Sequence, residues 1–419
     1  LPLLLTQLIQ VVFQLGDQAI IGRTHLHEFA GGSIASSFLF LITGTIGMIA
    51  VAFNIIGGRY LGENKTTKFN QSFTTSVLLC FFIGVIIECF ILAFGTLLLQ
   101  YIYGLNGSTL QAATDYLYIG GLTIGLNLLL FNFSSYFKNI KKTKIFVMSL
   151  VPASIVNVFF DYVLVYGKLG FPKLGVSGAA IGSVFGLTLN LLIYIVGFQK
   201  WKSDIFMWKL DKKIMTKLIK VYFPLALQDL VEYTLFAIVL SSFIARIDAT
   251  SIAAYTVITT LLEFLLLPIY ALSGSCMTLT AQNYGNGRER TPNYLLMSLF
   301  LAMVITIPLS SLLTLLANPI TQLITDKSSV ISLAIHILPL AIALNLINGL
   351  QIIIRSALQS MDMEKWVFVY STCIYTLLLV LIYFFMKWFQ LLGVYVGLGI
   401  GYTLLLGGYS LKLHRSKAS

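Results

Sequence analysis

Five acids in long apolar stretches are the residues with the most evident chemistry. Asp17 sits in FQLGDQAII, Asp161 follows Asn157 by four residues in NVFFD, Asp229 and Glu232 are three apart in QDLVEY, and Glu263 lies in LLEFLLL. Spacings of three and four put a pair on one helix face. A charged side chain at mid-bilayer costs about 3 kcal/mol on insertion scales, so each acid needs a partner, water or a proton. Asp17 and Asp161 lie at similar depth, with Asn157 one turn from Asp161. Such a set suits uptake and release of H+ or Na+. A carboxyl withdrawn from water exchanges its proton near working pH, and two carboxylates with an amide oxygen suit a hard cation. The plain alternative is hydrogen bonding to polar groups near the interface.

Asp229, Glu232 and Glu263, with Tyr233, Phe236, Phe264 and Tyr270 nearby, suit flat organic cations through charge pairing and ring contact. Glu232 is the strongest of the three, because Asp229 lies closer to the end of its stretch and Glu263 has the option of pairing with a neighbour. Aromatic stripes in membrane helices are more often packing than ligand cage. Glu88 and His336 also fall in apolar runs, but each stands alone. Arg355 lies near the end of its run and reads as a topological charge that reaches the interface on its long side chain.

Other chemistries lack their residues. In GGRYLGENK, Lys65 is three residues beyond Gly62, where a P-loop needs it directly next. There is no HExxH and no GxSxG, His25 and His27 form an HxH without further ligands, and Cys80, Cys89, Cys276 and Cys373 lie in apolar runs without CxxC spacing. The chain therefore reads as no enzyme, with no cofactor and no metal beyond a Na+ at Asp17, Asn157 and Asp161.

The elements that must hold these residues follow from composition. Of 419 residues 58% are hydrophobic and 10% charged, with mean hydropathy +0.89, which excludes a soluble domain. Lipid is the solvent for most side chains, and nucleic acid is a poor partner for the net charge of +11. Hydropathy predicts twelve spans: 1 to 21, 33 to 57, 72 to 97, 112 to 137, 145 to 167, 176 to 198, 222 to 244, 251 to 279, 294 to 317, 330 to 358, 366 to 387 and 391 to 412. With the N-terminus inside, 21 of the 27 Lys and Arg fall in inner loops and the tail, which predicts a multi-pass cell-membrane protein with both ends cytoplasmic.

The two halves resemble each other. Pro2 in LPLLLTQLIQ matches Pro224 in FPLALQDLVE, Tyr60 in YLGEN matches Asn283 in NYGNG, and Leu174 in LGVSGAAIG matches Leu392 in LGVYVGLGIG, at spacings of 222, 223 and 218 residues. Six spans per half make this a parallel repeat. The predicted organisation is a six-helix bundle over 1 to 199, a cytoplasmic amphipathic linker over 200 to 220, and a second bundle over 221 to 419. In the linker, Phe206, Leu210, Ile214 and Leu218 recur every four residues, as in a helix lying on the inner membrane surface. About a dozen residues before Leu1 are expected to belong to the first helix, by comparison with DKKIMTKLIKVY before Pro224.

The proline of the first span with Asp17 in FQLGDQAIIGR, the block NVFFDYVLVYGKLGFPKLGVSGAAIGS from Asn157, and AQNYGNGRER from Ala281 together resemble the multidrug and toxic compound extrusion family of cation-coupled exporters. The resemblance covers essentially the whole chain. It implies an all-α polytopic fold of twelve transmembrane helices in two pseudo-symmetric six-helix bundles around a central cleft, acting by alternating access as a monomer. It further implies that Asp17, Asn157 and Asp161 form the ion-coupling site, that Pro2 is where the first helix bends, and that Glu232 is the family's glutamate of the seventh helix. Some sodium-coupled relatives carry an acid in the tenth helix, where NGLQIIIRSALQ has the amide Asn348, so the expected ion site moves to the first bundle. The implied activity is multidrug efflux, exchanging drug-like organic cations for H+ or Na+. A flippase for a lipid-linked saccharide is the alternative, and it would need a basic cavity for pyrophosphate.

Overall fold

The computed structural model describes residues 2 to 201, 211 to 287 and 293 to 418. These residues are helical almost throughout, because a chain that faces lipid must satisfy each backbone N–H and C=O internally. The helices are α1 (Pro2–Ile21), α2 (Leu26–Gly62), α3 (Thr66–Tyr103), α4 (Gly107–Gly120), α5 (Leu122–Asn139), α6 (Lys144–Tyr166) and α7 (Val176–Trp201), then α8 (Lys212–Asp229), α9 (Phe236–Ala245), α10 (Ala249–Gly285), α11 (Asn293–Leu315), α12 (Ala317–Ile324), α13 (Ser328–Ser360) and α14 (Glu364–Ala418). Twelve spans emerge when α4 and α5 count as one broken helix, α8 and α9 as another, α14 as two limbs that meet at the non-helical Gln390, and the eight-residue α12 is left out as too short to cross. Several overshoot the predicted bounds. At 1.5 Å per residue, the 37 residues of α10 reach about 55 Å, beyond a hydrocarbon core of about 30 Å.

The chain divides into two compact units, one of Leu1–Gly57 with Lys65–Tyr222 and one of Gly58–Asn64 with Phe223–Ser419. The small exchange at the end of α2 has a clear cause. A Cβ at Gly62 would overlap the Gln282 carbonyl, and one at Gly285 would overlap that of Arg59, so the two helix ends touch backbone to backbone. Arg59 secures this contact by pairing with Asp362 and donating from Nε to the Ser360 carbonyl at 3.0 Å. Gly62 and Gly285 are the glycines that the repeat places in register.

Residues 202 to 210 of the predicted surface linker, with Phe206 and Leu210, lie outside the described residues, as do Arg288, Glu289 and Arg290. From Lys212 onward the linker is corrected: it is the start of α8, whose residues up to Tyr222 belong to the first unit, and Ile214 and Leu218 are buried. The four-residue apolar period was a core stripe, since Val221 and Leu225 continue it and are also buried. Pro2 is the first described residue of α1, and Pro224 lies inside α8.

Both units are held by the same hydrogen bonds. In the first, Ser135 donates to the Ala50 carbonyl at 3.0 Å and Asn139 to the Asn54 carbonyl at 3.3 Å. In the second, Ser356 donates to the Ser273 carbonyl at 3.3 Å and Ser360 to that of Met277 at 2.9 Å. Both donors move by 221 positions between units and both acceptors by 223, so the parallel repeat is present in the bonding itself.

Each unit also contains a helical hairpin packed through glycine. Side chains at Gly178, Gly182 and Gly186 of α7 would strike Leu164, Asp161 and Asn157 of α6. In α14, Gly393, Gly397 and Gly401 face Phe385, Ile382 and Leu378 of the opposing limb. Four-residue glycine spacing lets two backbones approach closely in a medium that offers no hydrophobic drive between helices.

Candidate functional site

The first unit has its polar centre where α1, α6 and α7 meet. Asp17 and Asp161 approach each other closely enough to interact directly, and Asn157 Nδ2 donates to Asp161 Oδ1 and Oδ2 at 3.2 and 3.3 Å. Two carboxylates this close repel each other, so a proton or a cation between them would stabilise the pair. Asp161 is 1% exposed, and Asp17 Oδ1 is buried without a hydrogen-bond partner among the described residues. That free oxygen lies in the group able to take a proton or ligate a cation.

Local sequence explains the placement. Asn157 and Asp161 share a face of α6, and Gly186 and Gly182 of α7 are the residues opposite them. Without those glycines the amide and the carboxyl would have no room between the helices. α1 is fixed against α6 by Tyr166 Oη, which donates to the Ile20 carbonyl at 2.8 Å, one turn from Asp17. Buried Tyr116 of α4 lies within electrostatic reach of both acids and hydrogen-bonds Ser36 of α2. Ser36, with Ser33, Ser37 and Phe40, lines a cavity of about 430 Å³.

The second unit has a different centre. Glu232 is 5% exposed and lies in the segment Leu230–Leu235, where the helix widens to a π turn between α8 and α9. Insertions of this kind recur at functional sites because they redirect one side chain. Glu232 pairs with Arg355 of α13, and its Oε1 accepts from Gln228 Nε2 at 2.6 Å. Gln359 Nε2 donates to Gln228 Oε1 at 2.9 Å, and Arg355 donates from Nη2 to Tyr233 Oη at 3.1 Å.

Arg355 is thereby corrected from a topological charge at the interface to a buried partner of Glu232. Its place near the end of α13 suggested reach to water, but the side chain is only 13% exposed and is turned into the unit. The expected group of three acids around one cavity is also revised. Glu232 is neutralised, Asp229 is half-buried and already engaged, and Glu263 is the exposed acid of the three. Glu263 shares a face of α10 with the 38% exposed Tyr270, seven residues on. An acid exposed near the middle of a spanning helix must face water or a ligand, because lipid would not tolerate it.

Sequence reasoning missed Arg355, Gln228 and Gln359 in the second unit, and Tyr116, Gly182 and Gly186 in the first. The glycines had a signal, since Gly178, Gly182 and Gly186 recur every fourth residue beside an acid-bearing helix. Gln228 is one turn from Glu232 and was readable in the same way. Glu88, read as solitary, lies against Gly121 at the junction of α4 and α5, with Oε2 buried and without a hydrogen-bond partner among the described residues.

The MatE family model matches residues 2–163 and 224–384, one block in each half. The chain is 24% identical over 376 residues to the probable multidrug resistance protein YoeA of Bacillus subtilis, covering 87% of this chain and 80% of that one. It is 27% identical over 382 residues to an FAD transporter of Shewanella oneidensis, covering 88% and 82%. Among solved structures, an outward-facing multidrug resistance MATE family transporter of the MOP superfamily shares the fold at TM-score 0.87 and 16% identity, covering 100% of this chain and 95% of the other.

Proposed function

The chain belongs to the MatE family, and from that premise we propose that it is a multidrug efflux antiporter, exporting drug-like organic cations by alternating access in exchange for H+ or Na+ taken up at Asp17, Asn157 and Asp161. The observation that carries this reading is the close approach of the Asp17 and Asp161 side chains beside Asn157. Two acids around one proton form a group whose charge changes by one unit when that proton leaves, and such a change can bias a helix packing equilibrium. A tenfold difference in substrate affinity between two states needs only about 1.4 kcal/mol. Ser36 and Tyr116 connect the acids to the cavity beside α2, which supplies a polar route for exchange with water.

Export of ethidium from liposomes holding the purified protein tests the reading. Uphill movement driven by an imposed pH gradient supports H+ antiport, and movement driven only by a sodium gradient replaces H+ by Na+. If neither gradient moves a cation, the antiport reading falls and the flippase reading leads. The buried Arg355 of the second unit, committed to Glu232, is not available to hold a pyrophosphate.

Cation recognition in the second unit is assigned to exposed Glu263 with Tyr270, since Glu232 is buried against Arg355 and Asp229 is half-buried and engaged. Glu263→Gln is expected to raise the KM for ethidium about tenfold with little change in kcat, the signature of lost uniform binding. An unchanged KM in initial-rate measurements would remove Glu263 from the substrate site.

A further inference from the structure

We propose that Arg355 is a tethered cation that permanently occupies the acid site of the second unit, so that Glu232 takes up neither a drug cation nor a coupling ion. The Glu232 side chain is 2% exposed, with one oxygen held by Gln228 and the other by Arg355. The guanidinium is fixed in turn by Tyr233, and Gln228 by Gln359, so every member of the group is oriented by another. The charges cancel within the group and leave no attraction for an incoming monovalent ion.

Competition also favours the tether. A mobile ion arrives at about 0.1 M, whereas a side chain held in place by packing acts at a far higher effective concentration. Displacing Arg355 would strand its charge in a buried site, which is among the costlier changes available to a folded chain.

The repeat supports a division of roles. Gln10 stands 222 residues before Glu232 and Ser134 stands 221 before Arg355, so the first unit has uncharged residues where the second has its ion pair. Conversely, Val239 and Leu379 stand 222 and 218 residues after Asp17 and Asp161. Each unit has a charged centre at a place where the other has none. One has a pair of acids, and the other has a cation built into the chain.

The inference rests on the antiporter reading only for its transport consequence, that all ion exchange falls to the first unit. Its test needs no transport and is run in an Asp17→Asn parent, so the two readings fail separately. Tm of the purified protein is measured in sodium chloride against choline chloride, and from pH 5.5 to pH 8. The parent and its Glu232→Gln derivative should show the same dependence on Na+ and pH, whereas a difference between them would overturn the proposal. Arg355→Ser in the parent frees Glu232 beside the Tyr233 hydroxyl and a new serine hydroxyl, an oxygen set suited to a hard cation. It should gain a rise of a few degrees in Tm with Na+ or with acid, and the Glu232→Gln/Arg355→Ser double variant should lose it. An Arg355→Ser protein that folds and gains no cation dependence also overturns the proposal. If that variant does not fold, the comparison of the parent with Glu232→Gln still decides.

Discussion

Asp17→Asn is expected to abolish the proposed gradient-driven export, by about a hundredfold or more, in a protein that still folds and inserts. Asparagine has the shape of a protonated aspartic acid, and its amide can still donate to Asp161, so the junction of α1 with α6 keeps its packing and one hydrogen bond. What disappears is the proton that can leave. An exchanger with no exchangeable ion is left with substrate affinities that no gradient can alter, and its uphill flux has no driving force. Downhill leakage of ethidium is expected to persist, which separates loss of coupling from loss of the protein. The check is the liposome assay at matched reconstitution, and wild-type uphill flux from the variant would remove Asp17 from the coupling site.

Gly182→Val should be as damaging by a different route. A Cβ at this position would overlap Asp161 Oδ1 and crowd the Asp161 amide nitrogen and the Asn157 carbonyl. Overpacking of a tight interface costs typically 1 to 3 kcal/mol, and here the atom displaced belongs to the acid pair. The expected result is a Tm lower by several degrees together with coupled export reduced at least tenfold. Gly274→Ala is the matched control, since a Cβ there meets nothing within 4 Å and alanine is the better helix former by about 1 kcal/mol. Equal behaviour of the two variants in thermal melts and transport would show that close approach at Gly182 does not position Asp161.

Much of this architecture can be read from the residues alone because lipid constrains a chain more severely than water. Spans must be apolar and internally hydrogen-bonded, so hydropathy found the helices. The same intolerance of charge marked Asp17, Asp161 and Asn157, which the structure brings together. The second unit was harder for a physical reason. Glu232 and Arg355 are 123 residues apart, and no periodicity links an acid in one helix to a base in another. Each charge taken alone had an ordinary explanation. The widened turn at Leu230–Leu235 left no mark either, since its residues would also suit a regular α-helix. In α8, the stripe of Ile214 and Leu218 was visible, but an amphipathic stripe does not say whether it faces lipid headgroups or a protein interior. Hydropathy also passed over the junction at Gly121, because one glycine in an apolar run changes the average very little.

The hydrogen bonds shared by the two units end on main-chain carbonyls, and a carbonyl is the same group whatever residue carries it. Ala50 corresponds to Ser273 and Asn54 to Met277, yet the bonds from the facing serines and the asparagine are kept. After a duplication, the accepting helix was therefore free to change its side chains, because only the donors on its neighbour needed a polar group. This is a tolerance built into the joint. It allows two copies of one frame to differ in chemistry, with a pair of acids in one and a fixed ion pair in the other, while the joint keeps its bonds.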